Sequence, residues 1–260
     1  MCASPVFKQV VPADNTMSEA EWAARVDLAA CYRLVAHFDM DDLFATHVSL
    51  RVPGAEEHFL LNPYGVLFSE ITASDLVKVD INGTIVQETD HVINPAGFVI
   101  HSAIHASRPD AKCVLHTHTV AGMAVSTLIN GLEPITQKAT RYHKRVAYHD
   151  FEGKAQDLDE RERLVRDLGQ LNYLVLRNHG LLVCAPTIGR AFKEIYAMEK
   201  ACKTQLAIQA TGEKITSMSD NLLEFTAEQF ANDAVPSKER PDGFPSLKAM
   251  LDRINPGYDA

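Results

Sequence analysis

The sequence predicts an α/β or α+β sandwich built on a mixed or antiparallel sheet, and three observations carry that expectation. Apolar segments of strand length alternate along the chain with segments whose apolar residues recur at helical spacing. Asn82-Gly83, inside VKVDINGTIVQ (77–87), is a strong hairpin signal, so antiparallel strands must lie among the alternating elements and a purely doubly wound sheet fits poorly. The length of 260 residues, 46% of them apolar and 23% charged, suits an ordinary globular chain with a sizeable core, most simply one domain.

Taken in order, residues 1–17 read as an extended arm, because Pro5 and Pro12 interrupt any helical pattern. Ser18 with Glu21 forms a capping-box signature, and Trp22, Val26, Ala29, Leu34 and Val35 follow at helical spacing, predicting a helix that ends near His37. Strands are expected at 45–52, 58–62 and on both arms of the 77–87 hairpin. Residues 95–106 read as a helix with Phe98, Ile100 and Ile104 on its apolar face, and SRPD (107–110) separates it from the strand KCVLHTH. A helical segment at 122–129 and a strand at 146–151 come next. LDERERLVRDLG (158–169) predicts a helix stopped by Gly169, and YLVLRNHGLLVCA (173–185) predicts two strands broken at Asn178-His179-Gly180. Thr187 opens a long helix to about Ala210, so the main domain is placed at 18–215, with 216–260 a polar tail holding one short helix.

The formal net charge of -9 argues against a nucleic-acid partner, since neutralising phosphates needs a basic face. Small-molecule partners are expected instead. Cys2, Cys31, Cys113, Cys184 and Cys202 are odd in number and lack paired spacing, which suits thiols in a reducing cytoplasm. The first residues show no basic segment leading into an apolar one, and no run of about 18 apolar residues occurs, so neither a signal peptide nor a membrane span is expected. A soluble, cytoplasmic protein is the expectation.

The chemistry centres on histidines. In CVLHTHTVAG (113–122), His116 and His118 sit two apart on a strand and therefore project from one face. Two parallel imidazoles make half of a metal site, though alone they are as readily a polar strand end. His179, in RNHGLLV directly after another apolar strand, would add a third imidazole if the two strands are neighbours, and spacing alone does not establish that. Three neutral imidazoles bind a divalent transition metal and leave a coordination position open, the arrangement of catalytic rather than structural zinc. His101 and His105 share a helix face, and His149 and His143 either line a pocket or face solvent.

HTH at 116–118, SRPD at 107–110, RNHG at 177–180, LNPYG beginning at Leu61 and ITASDLVKVD at 71–80 together resemble the class II aldolase/adducin head-domain family, and in particular its adducin-like branch. The resemblance implies a central, mostly antiparallel sheet flanked by helices. It also implies a divalent metal, most simply Zn²⁺ with Mn²⁺, Co²⁺ or Fe²⁺ as alternatives, held by His116, His118 and His179. A homotetramer with active sites near subunit contacts is implied as well. In the family's aldolases an acid/base glutamate precedes the first ligand histidine by nineteen positions; here that count reaches Gly97. The phosphate-cradling Thr-Gly-Asn-x-Ser loop is represented by Ala45-Thr46-His47-Val48-Ser49, which favours an unphosphorylated substrate. On this basis His47, Tyr142 and His143 are candidate proton-handling residues, and Ser49 and His101 candidate substrate-binding residues.

The expected function is a metal-dependent lyase that carries out aldol-type cleavage or decarboxylation through a metal-stabilised enolate. Its substrate would be a small hydroxy-keto or carboxylate compound. A non-catalytic, adducin-like oligomerisation or binding module that retains the metal site is the alternative. If the loss of glutamate alone silenced an aldolase, Gly97→Glu is expected to restore weak cleavage of a hydroxy-ketone.

Overall fold

A computed structural model of the chain describes residues 7–11, 17–55, 57–153, 159–233 and 242–260. Its seven strands are β1 (His47–Arg51), β2 (His58–Leu61), β3 (Val77–Asp80), β4 (Cys113–Thr117), β5 (Val146–His149), β6 (Tyr173–Leu176) and β7 (Gly180–Ala185). They form one sheet in the order β3-β2-β1-β4-β7-β6-β5. Every neighbouring pair is antiparallel except β5 and β6. This is the expected sandwich with a mostly antiparallel sheet.

Helices cover both faces because alternate strand residues are apolar toward each side. Val48, Cys113, Leu115 and Val183 pack with apolar residues of α1 (Glu19–His37) and α5 (Ile188–Gln209). On the other face Val114, Leu182 and Cys184 meet Ile100 and Ile104 of α2 (Pro95–Ser107) and Leu164 and Leu168 of α4 (Glu160–Leu168). The Ser18 hydroxyl accepts from the Glu21 amide as the capping box predicts, and Asn94 caps α2 ahead of Pro95. Helix α3 (Val120–Ser126) starts at the Thr119 cap directly after the HTH motif, and a 3₁₀ turn spans Ala139–Tyr142.

Three expectations change. Among its described residues the tail carries two helices rather than one, α6 (Asp220–Asp233) and α7 (Phe244–Ile254). The second of them belongs to the core: Leu251 is buried, Lys248 pairs with Asp27, and Arg33 of α1 donates to the Pro256 carbonyl. The hairpin after β3 turns at Gly83 as expected, but its return arm holds only an isolated bridge, Val79 to Ile85. There the Gln87 side chain takes the place of a strand, accepting from the Lys78 amide at 2.9 Å. Of the extended arm, residues 1–6 and 12–16 lie outside the described residues; in residues 7–11, Val10 donates to the Ile85 carbonyl and Phe7 packs edge-on against Phe98. The four described cysteines are free and buried. No helix among the described residues is long and apolar enough to cross a membrane.

A buried ionic cluster ties α1 to β3. Glu21 accepts from Arg25 at 3.1 Å and from Lys78 at 3.1 Å, while Arg25 also donates to Gln87 and to the Leu76 carbonyl. All four side chains are buried, so removing the carboxylate strands two cations in the interior. Glu21→Ala is therefore expected to cost about 3–5 kcal/mol of unfolding free energy, read as a lower urea midpoint; a loss under about 1 kcal/mol, the value of an exposed pair, would refute the burial argument.

Candidate metal centre and pocket

The sheet order decides what the histidines do. Strand β7 pairs with β4, and His116 lies opposite both Leu182 of β7 and His47 of β1. His118 sits just past the end of β4, and His179 in the turn entering β7. Asn178 carries the left-handed conformation of that turn, with φ of 57°. Gly180 serves close approach rather than the bend itself: a Cβ there would stand 2.4 Å from the Thr117 carbonyl and 3.2 Å from the His116 ring. The backbone of β7 can thus reach the end of β4 only with glycine at this position.

The three imidazoles converge. Nε2 of His118 lies 2.8 Å from Nε2 of His116 and 2.9 Å from Nε2 of His179, and the possible ligand atoms all fall within 4.8 Å of one another. His116 donates from Nδ1 to the Leu181 carbonyl at 2.9 Å, and Nδ1 of His118 lies 3.0 Å from an Asp42 carboxylate oxygen. These outer partners hold Nδ1 protonated and leave the Nε2 lone pairs facing inward, the tautomer a metal requires. Burial, reinforced by the neighbouring imidazoles, pushes His116 well below the ordinary histidine value and His179 down to about 4. Both are therefore neutral imidazoles at pH 7, the form that can donate a lone pair to a metal. The donor set fits a divalent transition metal with an open position.

Beside this cluster opens a cavity of about 430 Å³, lined by His47, Tyr64, Gly97, His101 and Phe151 as well as the three converging histidines. His47 and His101 are both buried, with ring centroids 5.9 Å apart. Burial, followed by the charges of His118 and His179, lowers His47 to about 3, so it too is a neutral imidazole.

Comparison with known proteins fits this geometry. The family model for the class II aldolase and adducin N-terminal domain matches residues 26–206. The chain belongs to the class II aldolase and adducin family. A Caulobacter vibrioides relative, "Putative aldolase class 2 protein", is 48% identical over 250 residues, 93% of this chain and 94% of that one. The crystal structure of an aldolase II superfamily protein from Pseudomonas syringae superposes with a TM-score of 0.88 at 47% identity, covering 94% of this chain and 98% of the other. The L-fuculose 1-phosphate aldolase of Glaciozyma antarctica superposes with a TM-score of 0.79 at 27% identity over 96% of each chain.

Within this aldolase-family chain the remaining candidates separate. His47 and His101 line the cavity. Ser49 does not reach it as a free hydroxyl: it is fully buried, 2.7 Å from both His101 Nδ1 and His105 Nε2. Its substrate-binding role is thereby corrected to an internal one. Tyr142 and His143 are corrected as well. Tyr142 is buried against Tyr173, with its hydroxyl donating to the Glu194 carbonyl, and His143 pairs with Asp220 at the start of α6. Neither lines the cavity, because the 3₁₀ turn packs against α6 instead of the end of β4. His149 is held between Asp167 and Glu160.

The structure gives places to residues that sequence reasoning left without a role. Asp42 positions His118, Tyr64 forms a cavity wall with Phe44 stacked edge-on behind it, and His105 backs Ser49. The Asp41-Asp42 pair just ahead of the His47 strand was the available signal for the first. Tyr64 lay within the LNPYG motif and His105 one helical turn beyond His101, but neither pattern showed what it would touch.

The Gly97 position also reads differently in three dimensions. A Cβ there would sit 2.5 Å from Cγ and Cδ2 of His47 and 2.6 Å from its Nε2. The imidazole occupies the space that a side chain at residue 97 would need. Gly97 and His47 are a matched pair, so Gly97→Glu alone is no longer expected to restore cleavage.

Proposed function

We propose that this chain is a metal-dependent lyase of the class II aldolase type, cleaving or decarboxylating a small, unphosphorylated hydroxy-keto or carboxylate substrate. The observation that carries this reading is the convergence of three Nε2 atoms with Nδ1 of His116 and His118 tied to outer acceptors. His116, His118 and His179 are the proposed ligands, with Zn²⁺ the first choice and Mn²⁺, Co²⁺ or Fe²⁺ compatible with the same donors. When bound, the ion supplies Lewis-acid stabilisation of negative charge on a substrate oxygen.

The protein's own groups supply the rest. His47 stands where the family resemblance leads to a missing glutamate, lines the cavity, and has an Nε2 without a protein partner. Negative charge entering the cavity offsets the desolvation that keeps this imidazole neutral, so His47 is placed to take up and return one proton. Decarboxylation needs only such a return after carbon dioxide leaves; retro-aldol cleavage also needs the prior removal of a hydroxyl proton. Among the described lining residues none is Lys or Arg, which supports a substrate without phosphate. Phe151 and Tyr64 are more than half and nearly half exposed at the cavity mouth, which supports a homotetramer whose sites lie near subunit contacts. Small buried thiols support residence in a reducing cytoplasm.

The test is a panel of unphosphorylated hydroxy-keto acids and aromatic carboxylates offered to metal-loaded protein, read by aldehyde or carbon dioxide release. Turnover that disappears in His47→Ala, with metal retained, is expected. No turnover by metal-replete protein across the panel would overturn the lyase in favour of a binding module.

A further inference from the structure

The basic segment Arg141-Tyr142-His143-Lys144-Arg145 takes no part in the metal centre, and it helps to build a second cavity elsewhere. This cavity, of about 250 Å³, is lined by Arg141, Arg145, Asn172, Tyr173, Arg190 and Phe230 among others. It lies at the opposite end of the sheet from the metal cluster: Tyr173 opens β6 opposite Val183, whereas Leu176, at the other end of the strand, faces Gly180 beside His179. Among the described residues the two cavities share no lining.

Three guanidinium groups meet there. Glu194 of α5 draws two of them together: Arg190 Nη2 lies 2.8 Å from one carboxylate oxygen and Arg141 Nη1 3.2 Å from the other, to which Tyr173 also donates at 2.8 Å. Arg145 pairs with Glu224 of α6 at 3.1 Å. No arginine side chain of the three is more than 30% exposed. Holding like charges together away from water costs free energy unless counter-charge accompanies them. Glu194 is the one acid among the described lining residues, and Glu224, just outside, still leaves the cluster positive in a chain whose net charge is -9. The protein does not saturate these cations either. Each guanidinium carries several N–H donors in a rigid fork, and Nε of Arg141 and Nε of Arg145 are both buried without a hydrogen-bond partner. Unpaired buried donors call for an acceptor, and a charged oxygen answers both the donors and the excess charge.

We propose that this cavity is a binding site for a small, multiply charged oxyanion, a phosphate or a di- or tricarboxylate, held by Arg141, Arg145 and Arg190. The walls narrow the class. About 250 Å³ is less room than pockets for drug-sized ligands offer. The aromatic faces are already taken, Phe230 by the Arg141 guanidinium 4.4 Å above its centroid and Tyr173 by Tyr142 packed edge-on, so a nucleotide base finds no platform. The site also joins separate parts of the chain. Ala227, Phe230 and Ala231 of α6 form one wall, and the segment 141–145, the start of β6 and Arg190 of α5 form the others. An anion held between them ties α6 to the body of the protein, which that helix otherwise meets chiefly at the 3₁₀ turn. None of this depends on the lyase reading.

The experiment is calorimetric titration of inorganic phosphate and, separately, of citrate into the full chain. His116→Ala is run beside wild type, because an anion held at the metal centre would be lost with that ligand. One equivalent bound in both backgrounds, more weakly as salt is raised, is expected. Binding of phosphate alone or of citrate alone supports the site and assigns its class; binding of neither, or binding that vanishes in His116→Ala, overturns it. Arg145→Gln and Arg190→Gln, on different elements, are each expected to weaken binding by about tenfold or more, the value of a hydrogen bond to a charged group. Unchanged affinity in either folded variant would overturn the assignment. If neither variant folds, the Nε–H resonances of Arg141 and Arg145 in ¹⁵N-arginine-labelled wild type decide: they are expected to shift on adding the anion that binds, and unmoved resonances would refute the site.

Discussion

His116→Ala is expected to abolish stoichiometric divalent metal binding and, with it, the thermal stabilisation that metal confers. Nε2 of His116 is one of three converging donors, its ring is held by the Leu181 carbonyl, and its strand is fixed on both sides by β1 and β7. Loss of an outer partner alone typically lowers metal affinity by about 10–100-fold, so deletion of a direct ligand should exceed about a hundredfold. A ligand present at a hundred times its dissociation constant stabilises the folded state by about 2.7 kcal/mol. Wild type should therefore melt at a clearly higher temperature when metal is added, and His116→Ala should not. Elemental analysis of protein purified without chelator, combined with melting curves at several metal concentrations, makes the check. Equal metal content and equal stabilisation in the variant would remove His116 from the ligand set.

Gly97→Ala is expected to destabilise the protein, and the sign should reverse once His47 is removed. Two effects oppose each other. Alanine in place of glycine in a helix is worth up to about 1 kcal/mol, but Gly97 lies in the first turn of α2, where that gain is smallest. Against it stands a Cβ placed 2.5 Å from ring carbons of His47, a buried side chain on a central strand that cannot swing aside. Overpacking of this kind costs about 1–3 kcal/mol, so overpacking wins in the wild-type background. In His47→Ala the ring is gone and only the helix gain remains. Urea midpoints for the four members of the cycle should give a coupling energy of at least about 1 kcal/mol. The same change on Gly97→Ala in both backgrounds would show that the two residues do not compete for space. The contact also explains why a carboxylate at residue 97 and an imidazole at residue 47 exclude one another.

Much of the architecture was legible in local patterns. The capping box at Ser18, the hairpin glycine and the apolar runs of strand length depend on neighbours within a few positions, and the structure places the elements they announce. The second tail helix escaped because α6 and α7 have mixed, polar faces, and α7 earns its place through Arg33 and Asp27 on the distant α1. Tyr142 and His143 were misplaced for a related reason. They follow the metal strand in the chain, but α6, which begins only at Asp220, draws their turn away from the cavity.

The sequence by itself marked the three histidines that come together. Two histidines at strand spacing project together whatever the sheet around them does, and the family motifs identify His179 as their companion. Only the tertiary structure decided how these groups work. Pairing of β7 with β4 brings His179 to His118 across 61 positions, and pairing of β1 with β4 turns His47 and Ser49 under α2. That long-range register makes Gly97 a space for an imidazole and makes Ser49 the link between His101 and His105. Side-chain periodicity is a local property of the backbone, whereas strand neighbours and helix contacts come from burial of the whole core, so the three converging histidines were readable and the places of Ser49, Tyr142 and His143 were not.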